Sequence, residues 1–205
     1  MDGKAMNKEN RYSEIFETIR YGEIFETILT EHFHVAKMTG PEDIEKFIGK
    51  IINAKRIFVM GAGREGIACR SFAMRLSHLG IETHWIWDDT TPGMGEGDLF
   101  IVADGRGDIG MFRYILERAK EARADIAMVT GYPKGASAVR YADTILYVPA
   151  KVYGTDNKDA VQTIQPMGNL FEQHMFLMFD VIIMILAERL QKTYAQMEAQ
   201  HRNIE

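Results

Sequence analysis

The chain of 205 residues has a single cysteine, Cys69. That excludes an internal disulfide framework and a multi-cysteine metal site, and it suits a reducing cytoplasm. A surplus of positive charge is also missing. Lys and Arg number 24 against 29 Asp and Glu, a net charge of −5, so nothing electrostatic points to a nucleic-acid partner, whose binding rests on clustered cations. No long hydrophobic run is present. The most apolar stretch, Met175 to Ala187, is interrupted by Asp180 and falls short of the roughly 20 residues that a membrane span requires. It reads as a helix buried inside protein, and no membrane partner is expected. The opening residues, MDGKAMNKENRY, are charged and have no apolar core, unlike a signal peptide.

What remains is ordinary for a soluble globular protein: 46% hydrophobic and 26% charged residues. The length suits one domain with extensions and is enough to bury a core. Near its start the chain carries a near-repeat, YSEIFETIR then YGEIFETIL, from Tyr12 to Leu29. Its offset is too short for a solenoid unit, and its apolar positions mark the broad stripe of an amphipathic helix. That helix forms an N-terminal arm, residues 1–40, packed on the body or on another subunit. Pro41 then opens a second helix, EDIEKFIGKIINA.

From there strands and helices alternate. Strands are expected at RIFVM (56–60), ETHWIW (82–87), DLFIVA (98–103), DIAMVT (125–130) and DTILYVP (143–149). Helices are expected at IACRSFAMRLSHLG, stopped by Gly80, at MFRYILERAKEA, and over 167–193. Such alternation implies a parallel sheet with helices on both faces, a three-layer αβα sandwich of five strands over residues 41–205. Right-handed crossovers gather the turns after Met60, Trp87 and Ala103 along one sheet edge.

Ligands of such sheets sit where strand turns into helix, and two turns stand out. GAGREG fits G-x-G-x-x-G through Gly61, Gly63 and Gly66, with Asp88 about 20 residues further on, so a dinucleotide has to be considered. Only five strands are visible and no second domain remains for a hydride donor, which favours a glycine turn serving another ligand. The second turn, VADGRGDIG (102–110), has no Ser or Thr and places Asp104 and Asp108 where anions are usually held. Its GRGD tetrapeptide reads as coincidence. His32 and His34 face different sides of their helix and lack a third metal ligand. Glu172 starts a strongly apolar helix. Partial desolvation there suits a general base, and a carboxylate there also simply favours the helix N-terminus.

The ordered set GAGR, FAMRLSHLG, TTP, QPMGNLFEQ and a terminal QHRNIE resembles the 6-phospho-3-hexuloisomerases of the sugar-isomerase (SIS) domain superfamily, from about residue 25 to the end. The resemblance implies a flavodoxin-like fold, usually in a tetramer, here a tetramer or dimer. It implies transfer of a carbonyl between C3 and C2 of a hexulose 6-phosphate through an enediolate, with no metal or organic cofactor. By position, Glu172 matches the proton-shuttling glutamate. His201 matches the histidine of the terminal motif, reaching the site of a neighbouring subunit. Arg64, Thr90 and Thr91 match ligand-binding positions, and the substrate is expected to meet Gly61, Gly63, Glu65, Asp104, Gly105, Arg106, Gly107 and Asp108 as well.

The chain also departs from that pattern. Glu65 follows GxGR where the family has Ser, Asp104 and Arg106 replace two serines of the third-strand turn, and Ile109 replaces its threonine. In the family those hydroxyls hold the substrate phosphate. A carboxylate about 4 Å from a phosphate charge is repelled by roughly 1–4 kcal/mol, against about 0.3–1 kcal/mol returned by a helix N-terminus. Arg106 can offset one carboxylate by folding inward, or pair with Asp104 or Glu65. Three readings follow: an isomerase with a changed substrate, a non-catalytic module that senses a sugar derivative, and a small dinucleotide-binding protein. A cationic or hydroxyl-rich sugar would suit the two aspartates best.

Overall fold

The computed structural model describes residues 20–204, so the first half of the near-repeat lies almost wholly outside the described residues. Five strands form one parallel sheet: β1 (Ile57–Gly61), β2 (Thr83–Trp85), β3 (Leu99–Ala103), β4 (Asp125–Thr130) and β5 (Thr144–Tyr147), in the order β2-β1-β3-β4-β5. Chain direction across the sheet therefore reverses between β1 and β3, the place where doubly wound sheets open a crevice at their carboxyl ends. These two strands pair in register from Ile57↔Leu99 to Gly61↔Ala103. Both are buried along their whole length, as a sheet covered on both faces requires.

On one face lie α1 (Tyr21–Met38), α2 (Pro41–Asn53), α3 (Gly63–His78) and α6 (Asn169–Arg189), which share a core with Val59, Ile101 and Val129. On the other, α4 (Arg113–Glu121) and α5 (Ala136–Tyr141) pack on Phe58, Phe100 and Met128. A helix is missing from that second face between β2 and β3. The loop 86–98 covers it instead, with Ile86 and Met94 packed into the core. Its return is anchored by Arg56, which donates to Asp98 Oδ2 at 2.6 Å and to the Gly93 carbonyl at 3.1 Å.

Several boundaries differ from the sequence reading for physical reasons. The edge strand β2 has only three residues, because Ile86 already belongs to the crossing loop. The helix after β1 starts at Gly63, four residues before the expected start, so most of GAGREG is its first turn. Gly63 takes φ +53, a left-handed value that glycine accepts without cost. A short helix, α5, stands in a segment to which the sequence reading assigns no helix. The long C-terminal helix stops at Arg189, and α7 (Tyr194–Ala199) follows it, opened by a capping box between Thr193 and Gln196. The T-x-x-Q signal for that box is present in the sequence. At 21 residues α6 is long and apolar enough to cross a membrane by length and composition, yet more than half of its apolar window is buried in the protein. It is the core helix of this fold.

The arm is docked on the body through polar groups. Glu31, buried, accepts from Thr163 Oγ1 at 2.7 Å, Ile164 N at 2.8 Å and Gln165 Nε2 at 3.1 Å. The next residue, His32, meets Gln173 Oε1 at 3.2 Å and His174 Nδ1 at 3.3 Å. His34 points outward, so the two histidines do lie on different faces. α1 thus fixes the segment that leads into α6 and also the first turn of α6.

One contact governs how α3 leaves β1. A Cβ on Gly66 would lie 2.6 Å from the Gly61 carbonyl oxygen, and one on Gly61 would lie 2.8 Å from Gly66 N. Helix and strand cross here at backbone distance. Gly66→Ala is expected to lower stability by about 1–3 kcal/mol through this overlap, measured by urea denaturation. An unchanged midpoint would contradict the close crossing.

Candidate active site

Three chain segments converge at the carboxyl ends of β1 and β3. The turn Gly61-Ala62-Gly63 aims the first residues of α3 into the crevice, so that Arg64 and Glu65 stand side by side over it. The turn after β3 brings Asp104 and Gly105. The first turn of α6 brings Phe171 and Glu172, entered through Met167 at φ +57. A non-glycine residue in that left-handed region costs of order 1–3 kcal/mol and persists only where the surroundings impose it.

Glu172 is the partly buried member of an ion pair with Arg64, whose guanidinium Nε donates to Glu172 Oε2; the side chains are 17% and 55% exposed. The pair closes one end of a cleft of about 400 Å³ between α3 and α6, lined further by Ile67, Ala68, Gln173, Phe176 and Leu177. That volume lies in the range of small-molecule sites. A Cβ on Gly168 would lie 3.4 Å from Glu172 Oε1 and 3.9 Å from Tyr153 N, so the loop after β5 forms a further wall beside the carboxylate.

Glu65 turns the other way. Both of its carboxyl oxygens lie 3.2 Å from Gly105 N, the first backbone donor after Asp104 at the end of β3. Burial pushes its pKa up to about 8; the Gly105 N–H opposes this, and the nearby Asp104 and Glu172 carboxylates add to it. Asp104 is fully buried. Its Oδ2 accepts from Ile109 N at 2.8 Å, and its Oδ1 has no hydrogen-bond partner among the described residues. Burial raises its pKa as well, against the backbone N–H groups of Ile109, Asp108 and Gly107.

The remaining expected residues are distributed unevenly. Of the two aspartates expected to face a ligand, Asp104 is sealed inside its own turn. Asp108 is tied to Arg113 Nη2 at 2.7 Å and receives Ser137 Oγ at 3.3 Å. Arg106 is exposed, and it bonds to neither Asp104 nor Glu65. Its guanidinium carbon lies 3.6 Å from where a Gly154 Cβ would sit, so it leans on the loop after β5. Gly107 takes φ +63 and packs under Tyr132 and Gly135. Thr90 bonds to Asp88 Oδ1 through its N–H at 3.0 Å and its hydroxyl at 2.8 Å, and Thr91 gives its hydroxyl to the Trp85 carbonyl at 2.7 Å. Both threonines are thus engaged inside their own loop, and so is Asp88, the acidic residue that a dinucleotide ribose would need.

His201 lies elsewhere in its own chain. Its ring packs on His78, centroids 5.2 Å apart, at the last residue of α3. Arg64 meets Glu172 at the first turns of α3 and α6, so His78 is a helix length away, roughly 22 Å at 1.5 Å per residue. Residues that sequence reasoning missed include Gln173, Tyr153 and Gly154, and Glu31 behind them. Gln173 closes the QPMGNLFEQ motif beside Glu172, whereas only tertiary packing brings Tyr153, Gly154 and Glu31 here and no motif marks them.

A carboxyl whose pKa is raised by folding holds its proton more tightly in the native state. The native state therefore loses stability, relative to the unfolded chain, as pH rises from the ordinary 4.5 of Glu65 through about 8. Glu65→Gln removes this loss. The melting temperature of the variant relative to the parent is expected to climb between pH 5 and pH 9, and a constant offset over that range would contradict the assignment.

Known proteins resemble this chain over most of its length. The SIS domain family matches residues 50–154. The 3-hexulose-6-phosphate isomerase of Bacillus subtilis is 34% identical over 178 residues, 87% of this chain and 95% of that protein. The Mycobacterium gastri enzyme of the same name is 34% identical over 170 residues, covering 83% and 84%. A crystal structure of a Methanococcus jannaschii protein, from which the function of a 3-hexulose-6-phosphate isomerase was inferred, superposes with a TM-score of 0.77 at 27% identity, over 89% of this chain and 99% of the other. Five parallel strands in this order, a crevice at the β1/β3 reversal and relatives matched over most of their length lead to one conclusion: the chain belongs to the SIS domain family, beside the 3-hexulose-6-phosphate isomerases.

Proposed function

We propose that the protein is a sugar isomerase of the 6-phospho-3-hexuloisomerase type, moving a carbonyl between C3 and C2 of a hexulose, with an altered hold on the far end of its substrate. The observation that carries this reading is the Arg64–Glu172 pair at the mouth of the cleft. Such an isomerisation needs a base beside the carbon next to the carbonyl and a donor for the developing oxyanion. Glu172 supplies the first. It takes the proton from the hydroxyl-bearing carbon, the electron pair forms the enediolate, the hydroxyl proton passes to the former carbonyl oxygen, and the same carboxyl returns the first proton to the former carbonyl carbon. Arg64 supplies the second, since its planar fork can serve the carboxylate and an enediolate oxygen together.

The relatives support a substrate with a phosphate, and the names they carry specify it. Against an unchanged grip stand the buried Asp104 and the Glu65 carboxyl on Gly105 N. His201 fits the reading only as a group given to another copy, because in its own chain it lies at the opposite end of α3. A homo-oligomer, tetramer or dimer, also accounts for the exposed apolar faces. Phe33 of α1 (58% exposed) and Leu177 and Val181 of α6 (50% and 52%) line one continuous groove of about 490 Å³ with His32 and His174.

The filled turn favours one second reading, a module that binds a sugar derivative without converting it. Turnover separates the two. Glu172→Gln, which keeps the shape and removes the base, is expected to lower kcat at least 10³-fold while calorimetry still shows sugar binding, within the 10²–10⁴ range of general-base removal. Undiminished turnover would remove Glu172 from this role.

A further inference from the structure

Backbone N–H groups at a strand-to-helix turn are a ready seat for an anion, because they are fixed, convergent and cost nothing to reorganise. At the β1/β3 reversal this seat is taken by the protein itself. Gly105 N lies 3.2 Å from each carboxyl oxygen of Glu65. The space above Gly105 is full: a Cβ there would stand 2.6 Å from Glu65 Oε1 and 3.1 Å from the Phe171 ring. Further along the turn, Gly107 N is taken by the Asp104 carbonyl at 2.9 Å and Ile109 N by Asp104 Oδ2 at 2.8 Å. Both side chains are carboxyls, held in place from two different elements, α3 and the β3 turn. Neither is bonded to a cation among the described residues, and the one guanidinium in the turn, Arg106, leans on Gly154.

The consequence is an inversion of what the crevice offers. A free turn presents donors, and this one presents acceptors. The two carboxyl oxygens of Glu65 share a single N–H, which leaves lone pairs to spare for a donor. A phosphate brings only acceptors and negative charge. A hydroxyl end brings a donor without charge.

We propose that Glu65 is the specificity-determining residue of this site: by occupying the Gly105 N–H it closes the crevice to a phosphate and selects a sugar whose corresponding end is an unphosphorylated hydroxyl. The inference rests on the reading of this crevice as the sugar site, and it deepens that reading by naming the substrate class.

The test is calorimetric titration of the full chain and of Glu65→Ser and Glu65→Gln with fructose 6-phosphate and with fructose. It is run at pH 9, above the point near 8 where the Glu65 carboxyl loses its proton. The groups facing Glu65 are Gly105 N and Asp104 from the β3 turn, Glu172 of α6 with its Arg64 partner, and the Cys69 thiol one helix turn along α3. The expected result is at least a tenfold gain in fructose 6-phosphate affinity in one or both variants, with fructose affinity in the serine variant within threefold of the parent. A gain below tenfold in both variants, each shown folded by its melting curve, overturns the proposal. Hydrogen exchange at the sugar carbons, followed in the same samples, reports on catalysis separately. A gain in phosphosugar affinity with no exchange of either sugar, in the parent or in the variants, leaves Glu65 in its role and removes the isomerase reading.

Discussion

The backbone contact between Gly61 and Gly66 is the constraint on which the site depends. With no side chain between them, α3 starts directly off the end of β1 and points its first turn over the crevice rather than past it. Arg64 and Glu65 are consecutive, so they diverge on the helix surface, one toward α6 and the other toward β3. A single short turn therefore serves two functions at once. It sets the cation beside Glu172 and the carboxyl on Gly105 N. Any shift of α3 along the sheet would move both.

The opposite wall is set from further away. Glu172 stands in the first turn of α6, and the segment before it is held by Glu31 of the arm through three hydrogen bonds. The arm thus belongs to the architecture of the site although none of its described residues reaches the cleft mouth. The stacked pair His32 and His174 lies on the same seam, with His174 held well below the usual histidine range, at about 4, by burial and by the His32 ring beside it.

Most of the fold is legible in the sequence because a doubly wound sheet is built from local signals. The five apolar runs, the glycine turns and Pro41 each act on their own neighbourhood, and alternation fixes the class. Glu172 is visible as a lone carboxylate at the head of an apolar helix, but that window fits a helix N-terminus as well as a base, and only the resemblance singles out the second. Arg64 owes its place to resemblance. The departures at Glu65, Asp104, Arg106 and Ile109 are visible as letters, but their consequences are not. Sequence places Asp104 and Asp108 alike in a polar turn; packing buries the first and gives the second to Arg113. It cannot tell that Arg106 leans on Gly154, about fifty residues downstream, or that Glu65 reaches across to β3. His201 is the sharpest case. Its motif is legible, and only the packing of the last residues against the end of α3 shows that it stands far from Glu172 in its own chain.

The central claim is that this crevice isomerises a sugar through an enediolate with Glu172 as the base. Proton exchange with solvent tests it whichever product forms. Fructose and fructose 6-phosphate would each be incubated with the protein in D2O and followed by proton NMR. The account predicts enzyme-dependent deuterium at C3 of at least one of them, lost when Glu172 is replaced by Gln. Binding of the sugars with no deuterium entering either would contradict it.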